Sequence, residues 1–157
     1  MRRSDREITD VKSIEAFIAK EQIMRIAFYD NGEIYIVPVN YGYTNDSGQY
    51  VFYFHGAKAG RKYELSKELP NIGFEIDGNY ELLEADIACE FSARFQSVVG
   101  TGKISLVEDR EEKLKGLNAL MKQTSGKTEW QYSEEMMNAV AIYRVDVNEI
   151  SCKARSK

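Results

Sequence analysis

Residues 23–43 read Ile23-Met24-Arg25-Ile26-Ala27-Phe28-Tyr29, then Asp30-Asn31-Gly32, then Glu33-Ile34-Tyr35-Ile36-Val37-Pro38-Val39-Asn40-Tyr41-Gly42-Tyr43. Asn-Gly between two runs rich in β-branched and aromatic residues signals a hairpin, because both residues accept the positive φ of a two-residue turn. A second turn, Asn45-Asp46-Ser47-Gly48, leads into residues 50–55, so three antiparallel strands are expected in a meander. Pro38 has no N–H to give a ladder and belongs at an edge or a bulge.

Upstream, residues 10–22 carry Val11, Ile14, Phe17 and Ile18 at helical spacing, with Asp10 placed to cap the N-terminus. Downstream, residues 59–68 read as a helix that stops before Pro70. Residues 71–77 read as a strand ended by Asp77-Gly78-Asn79, residues 87–96 as an alternating strand, and residues 98–107 as another with a bulge or close approach at Gly100 and Gly102. Residues 109–124 form the clearest helix: Asp109 and Glu112 have capping-box spacing, and Leu114, Leu117, Leu120 and Met121 make a stripe for burial. Residues 139–150 alternate again as a closing strand. Six or seven strands with three or four helices imply a mainly β, α+β fold, an antiparallel barrel with helices at its rim, over one domain of residues 1–157.

Composition narrows the function. The chain has 157 residues, 43% of them hydrophobic, which suffices for one ordinary core. A net charge of −4 leaves no excess of Lys and Arg for phosphate backbones, so a general nucleic-acid binder is not expected. No apolar stretch follows Met1-Arg2-Arg3 and no run approaches the ~20 residues of a spanning helix, so a cytoplasmic protein without a membrane partner is expected. Cys89 and Cys152 are far apart, and His55 is the one histidine, which argues against a disulfide framework and a zinc centre.

The chemistry concentrates in Phe54-His55-Gly56-Ala57-Lys58-Ala59-Gly60-Arg61-Lys62, where a strand ends and a helix begins. Small residues let a ligand approach the backbone, and three cations stand where the helix dipole is already positive. Such an accumulation is offset either by a bound anion, a phosphate above all, or by acidic neighbours such as Glu64 and Glu68. Tyr35, Val37, Val39, Tyr41 and Tyr43 share one face of their strand, either as core or as a wall for a flat heterocycle. No Ser or Cys nucleophile has a paired base. Glu134-Glu135 read as a solvated helix face, and Trp130 as a surface anchor or a lid.

Three ordered motifs, Val37-Pro38-Val39-Asn40-Tyr41-Gly42, Phe54-His55-Gly56-Ala57 with Gly60-Arg61-Lys62, and Ser97-Val98-Val99-Gly100-Thr101-Gly102, resemble the pyridoxamine 5'-phosphate oxidase-like flavoproteins. The likeness is greatest to the nitroimidazole-resistance (Nim) branch and runs from Arg2-Arg3 to the closing strand. It implies a split barrel of about six strands and a homodimer with FMN, rather than FAD, at its interface. By the same resemblance, Arg61 and Lys62 would grip the phosphate, with Lys58 a further candidate. Val37, Pro38, Val39 and Asn40 would lie along the ring, Phe54 and His55 beside it, and Ser97 and Val98 would reach it from a later strand. His55 would be the catalytic residue of an FMN-dependent oxidoreductase that passes electrons to a small acceptor, a nitroaromatic for instance. The alternative is a non-catalytic flavin carrier, store or sensor. Asn40 stands where the true oxidases carry a substrate-binding lysine, so oxidation of pyridoxamine phosphate is not expected. A haem site is disfavoured because His55 is the only imidazole.

Overall fold

The computed structural model describes residues 4–155, and the Arg2-Arg3 start lies outside them. In chain order the described elements are β1 (Glu7–Ile8), α1 (Val11–Lys20), β2 (Ile23–Asp30), β3 (Glu33–Asn40), β4 (Gly42–Asp46) and β5 (Gln49–Gly56). Then follow α2 (Arg61–Glu68), β6 (Asn71–Leu83), β7 (Ser92–Leu106), α3 (Arg110–Ser125), α4 (Glu134–Ala139) and β8 (Ala141–Arg155). Asn31 and Gly32 both take positive φ between β2 and β3, the turn their side chains favour.

The hydrogen-bonded order is β3-β2-β6-β7-β8-β5-β4, every pair antiparallel, with β1 added to β8. β3 and β4 stand at opposite ends of that order, yet Tyr41 alone separates them in the chain. The two ends of the sheet therefore meet, and the sheet closes into a barrel. The expected strand over residues 33–43 is thus two: its first half pairs with β2 and its second with β5, so the expected three-strand meander is instead two hairpins at opposite ends of the hydrogen-bonded order. Two local features fix the break. The buried Tyr41 hydroxyl donates to the Ile18 carbonyl at 2.6 Å, and a Cβ at Gly42 would fall on the backbone of Ala119, so only glycine lets α3 lie against the strand there. Pro38 sits on β3, whose outer edge has no partner strand among the described residues, which suits its missing N–H.

Inward-facing Ile26, Phe28, Phe52, Phe54, Phe74, Val98, Tyr143 and Val145 fill the barrel, and each large side chain buried there contributes roughly 1.5–3 kcal/mol. Ile14, Phe17 and Ile18 of α1 and Leu65 of α2 join this core. Asp10 caps α1, accepting the Ser13 N–H at 2.8 Å. Tyr35, Val37 and Tyr43 pack on the same cluster, so the tyrosine-rich face is core rather than an open wall.

Three further expectations change. Asp77-Gly78-Asn79 does not end a strand: β6 runs on through a register shift between Gly78 and Glu81. Residues 87–96 and 98–107 are not two strands, because β7 is continuous from Ser92 and residues 87–91 form a turn with a short 3-10 segment. Its glycines bear the expected close approach, since a Cβ at Gly102 would lie 2.7 Å from the Asp146 carbonyl oxygen beside the register shift there. On α3 the face pressed to the barrel is Gly116, Ala119 and Leu120, while Leu114, Leu117 and Met121 are half-buried. The small residues decide this, because they allow the helix axis to approach β4 and β5.

Asp109 caps α3 by accepting the Glu112 N–H at 2.9 Å. The Glu112 carboxylate does not close the capping box. It accepts the Tyr53 hydroxyl at 2.5 Å and the Arg144 guanidinium at 2.6 Å, tying α3 to β5 and β8.

Candidate functional site

β5 alternates strictly, and that alternation divides the site. Phe54 points into the barrel and stacks on Tyr143 with ring centroids 4.5 Å apart. His55 points outward, past the edge of α3, into a cavity of about 380 Å³. Asn40 lies in the same wall, with Leu117, Leu120 and Met121 of α3 and Met136 of α4 opposite. The Asn40 amide donates to the Gln22 carbonyl at 3.0 Å, which leaves its own carbonyl oxygen to accept. This cavity is mostly apolar with an imidazole and an amide on one side, the character of a site for a small flat molecule.

At the end of β5 the three expected cations separate. Lys58 turns into a recess of about 180 Å³ with Tyr63, Leu106 and Lys113. Arg61 lies over the Tyr35 ring at 4.7 Å and donates to Asp30 at 3.0 Å and Glu33 at 3.4 Å, the carboxylates that flank the Asn31-Gly32 turn. Acidic partners thus offset Arg61, and they come from the hairpin rather than from Glu64 or Glu68; Glu64 pairs with Lys67.

Lys62 is the exception. Its ammonium sits 5.1 Å from the Phe54 ring centre and 5.2 Å from that of Tyr143, and no described carboxylate pairs with it. Burial pushes its pKa below the usual lysine value. Gly56 makes room for it, since a Cβ there would lie 2.9 Å from the ammonium nitrogen. Gly60 opens α2 with a φ of 96° and no side-chain cap, so the first-turn N–H groups beside Lys62 have no acceptor from a capping residue. A half-buried cation next to uncapped N–H groups is a place for an anion.

The remaining expected positions divide. Val37 and Val39 face the core with Pro38 and Asn40 outward between them, and the unpaired edge of β3 leaves main-chain groups free. Ser97 and Val98 lie in the middle of the sheet, nine residues along β7 from Leu106, or roughly 30 Å of strand. Within one chain they stand apart from His55 and Lys62. Trp130 is partly exposed and donates its indole N–H to the Lys127 carbonyl at 3.2 Å. Sequence reasoning did not single out Lys113, Tyr132 or Met136. They reach the two cavities through the packing of α3 and α4, which leaves no local motif. The Tyr132 hydroxyl is shut off from water without a partner, and burial raises its pKa. Among the described residues no three His, Cys, Asp or Glu side chains gather as metal ligands, and no helix is long and apolar enough to cross a membrane.

Residues 10–154 match the family model described as pyridoxamine 5'-phosphate oxidase. No protein of curated function matches the sequence. Among solved structures, a candidate 5-nitroimidazole antibiotic resistance protein from Bacteroides thetaiotaomicron is 28% identical, with a TM-score of 0.81 over 94% of this chain and 86% of that one. An FAD- and haem-binding protein from Mycobacterium smegmatis is 16% identical, with a TM-score of 0.83 over 97% and 74%. A flavocytochrome from Azotobacter vinelandii is 21% identical, with a TM-score of 0.79 over 100% and 72%. The last two similarities speak for the fold alone.

Proposed function

Because the chain belongs to the pyridoxamine 5'-phosphate oxidase family, we propose that it is an FMN-binding protein that acts as a homodimeric oxidoreductase on a small planar acceptor, a nitroaromatic being the model. The observation that carries the reading is Lys62: a half-buried ammonium that no described carboxylate pairs, beside the uncapped start of α2, fits a phosphate. Arg61 would add a second positive charge only by sharing itself with Asp30 and Glu33. The open edge of β3 at Val37–Asn40 offers main-chain donors and acceptors for a heterocycle.

When bound, FMN would supply reversible two-electron chemistry, drawing electrons from an external donor such as NAD(P)H. The chain itself would position the acceptor. The apolar wall of Leu117, Leu120 and Met121 would exclude water from one side of the acceptor, and the His55 imidazole, in the wall of the same cavity, would hydrogen-bond to it. Tyr29, Ile34 and Ile36 on the outward face of β2 and β3 are 69%, 70% and 58% exposed, an apolar surface that a second copy would cover.

A titration of FMN against riboflavin, followed by flavin fluorescence, tests the phosphate site. The protein is expected to prefer FMN, and Lys62→Ala to lose that preference. Equal affinity for the two flavins, or for neither, overturns the assignment. A second reading, a flavin carrier or sensor without turnover, is favoured by His55 itself: among the described residues nothing hydrogen-bonds its imidazole to orient it. NAD(P)H-dependent reduction of a nitroaromatic that falls in His55→Ala supports the enzyme; FMN binding without turnover under any reductant supports the carrier.

A further inference from the structure

The His55 cavity has a smaller neighbour. Val140, just before β8, lines both that cavity and the recess that holds Lys58 and Lys113. The ladder explains the proximity: His55 lies opposite Ile142 and Gly56 opposite Ala141, so the chain that leaves β5 toward Lys58 passes the start of β8. Lys58 comes from the loop after β5 and Lys113 from the second turn of α3, two separate elements that bring like charges to one recess. Among the described residues neither lysine has a carboxylate partner. Glu108 lines the recess as well, but it forms no ion pair with either. The floor is held by the Val107 N–H, which donates to the Ile142 carbonyl at 2.9 Å, so the recess is built on the ladder and not on a loose loop.

We propose that the Lys58–Lys113 recess receives the anionic group of the same molecule whose planar body lies beside His55, so that the acceptors are aromatic acids, carboxylates or phosphate esters, rather than neutral rings. This rests on placing the acceptor at His55. It assigns the acceptor's charge to a recess separate from the Lys62 phosphate site. Two lysines that line one recess, neither paired with a described carboxylate, gain a counter-ion when an acid binds and gain nothing from a neutral ring. The recess volume of about 180 Å³ is ample for a carboxylate or a phosphate.

The test uses FMN-loaded protein with two probes of nearly equal shape, 4-nitrobenzoate and its methyl ester, titrated by calorimetry. The acid is expected to bind at least about tenfold more tightly than the ester, the ratio that one partly solvated charge-assisted hydrogen bond gives. In a Lys58→Ala, Lys113→Ala double variant the acid should fall to the ester's affinity while the ester changes less than about twofold. Lys58→Arg with Lys113→Arg should retain the preference, because charge and donors remain. Equal affinity of acid and ester in the unaltered protein overturns the proposal. So does a double variant that loses FMN but keeps the preference for the acid, since the recess would then serve the flavin's phosphate. Should the protein take up no FMN, the proposed function fails by itself. The same titration on flavin-free protein then still decides the recess, by the presence or absence of the acid preference.

Discussion

Replacing Gly116 by alanine sets two effects of known sign against each other. Gly116 lies inside α3, where alanine is favoured over glycine by about 1 kcal/mol through backbone entropy alone. A Cβ built there would stand 2.9 Å from Cδ1 of Tyr53 and 3.1 Å from Cγ2 of Ile142, so the neighbours must retreat by roughly 0.5–1 Å to reach ordinary van der Waals separation. Whether they can retreat decides the sign. Tyr53 is fully buried beneath the helix, and its hydroxyl is held at 2.5 Å by Glu112, which Arg144 grips in turn at 2.6 Å. The ring is fixed at both ends. Overpacking a fixed core costs about 1–3 kcal/mol, so the net expectation is a loss of about 1 kcal/mol, or roughly 2–4 °C in Tm for a chain of this size. Urea unfolding measures it, with Gly73→Ala as a control. Gly73 has no heavy atom nearer than 3.9 Å to the new Cβ and should change little. In a Tyr53→Phe background the ring loses its tether, and the penalty of Gly116→Ala should shrink by about 0.5 kcal/mol or more. A gain of about 1 kcal/mol from Gly116→Ala in the unaltered protein would refute the reasoning, because propensity would then have won and the ring would not be fixed.

Asp109→Ala removes the N-cap of α3 and should cost about 1 kcal/mol in urea unfolding. Lys62→Met should abolish discrimination of FMN from riboflavin while stabilising the flavin-free fold by a few tenths of a kcal/mol, since water still reaches much of the ammonium. The corresponding pH dependence has a definite sign. The folded pKa lies below the ordinary 10.5, so the unfolded chain binds more protons between the two values, and stability should rise with pH as Lys62 titrates, an increment absent in Lys62→Met. Ile34→Glu with Ile36→Glu should convert a dimer to monomers in sedimentation equilibrium; an unchanged mass would place the interface elsewhere.

The strands were legible in the sequence wherever their boundary is chemical. Asn31-Gly32 marks a turn because two residues must take positive φ, and Asp10 and Asp109 mark helix starts because orphan N–H groups need an oxygen. The errors fall where the boundary is topological. Nothing in Val39-Asn40-Tyr41-Gly42 says that hydrogen bonding passes from β2 to β5, because both halves keep the composition of one strand. Gly78 reads like a turn, yet it lies beside the Glu21 carboxyl and leads into a register shift, where the ladder resumes beyond it. A strand's partner is decided by the rest of the barrel, and local sequence records only its pleat.

The same distinction governs the cations after β5. Sequence places Lys58, Arg61 and Lys62 together against an unfavourable dipole, and one counter-ion would satisfy that observation. The fold answers it in three ways, because successive side chains leave a loop and a first helical turn in different directions. Arg61 reaches back to Asp30 and Glu33, the carboxylates that flank the Asn31-Gly32 turn. Lys58 lines a recess with Lys113 of α3. Only Lys62 remains, held against the Phe54 and Tyr143 rings by an attraction that compensates part of its lost hydration without neutralising its charge. Lys62 beside the start of α2, and Lys58 with Lys113 in their recess, have no described carboxylate partner, so on the readings proposed above each position would take its own anion.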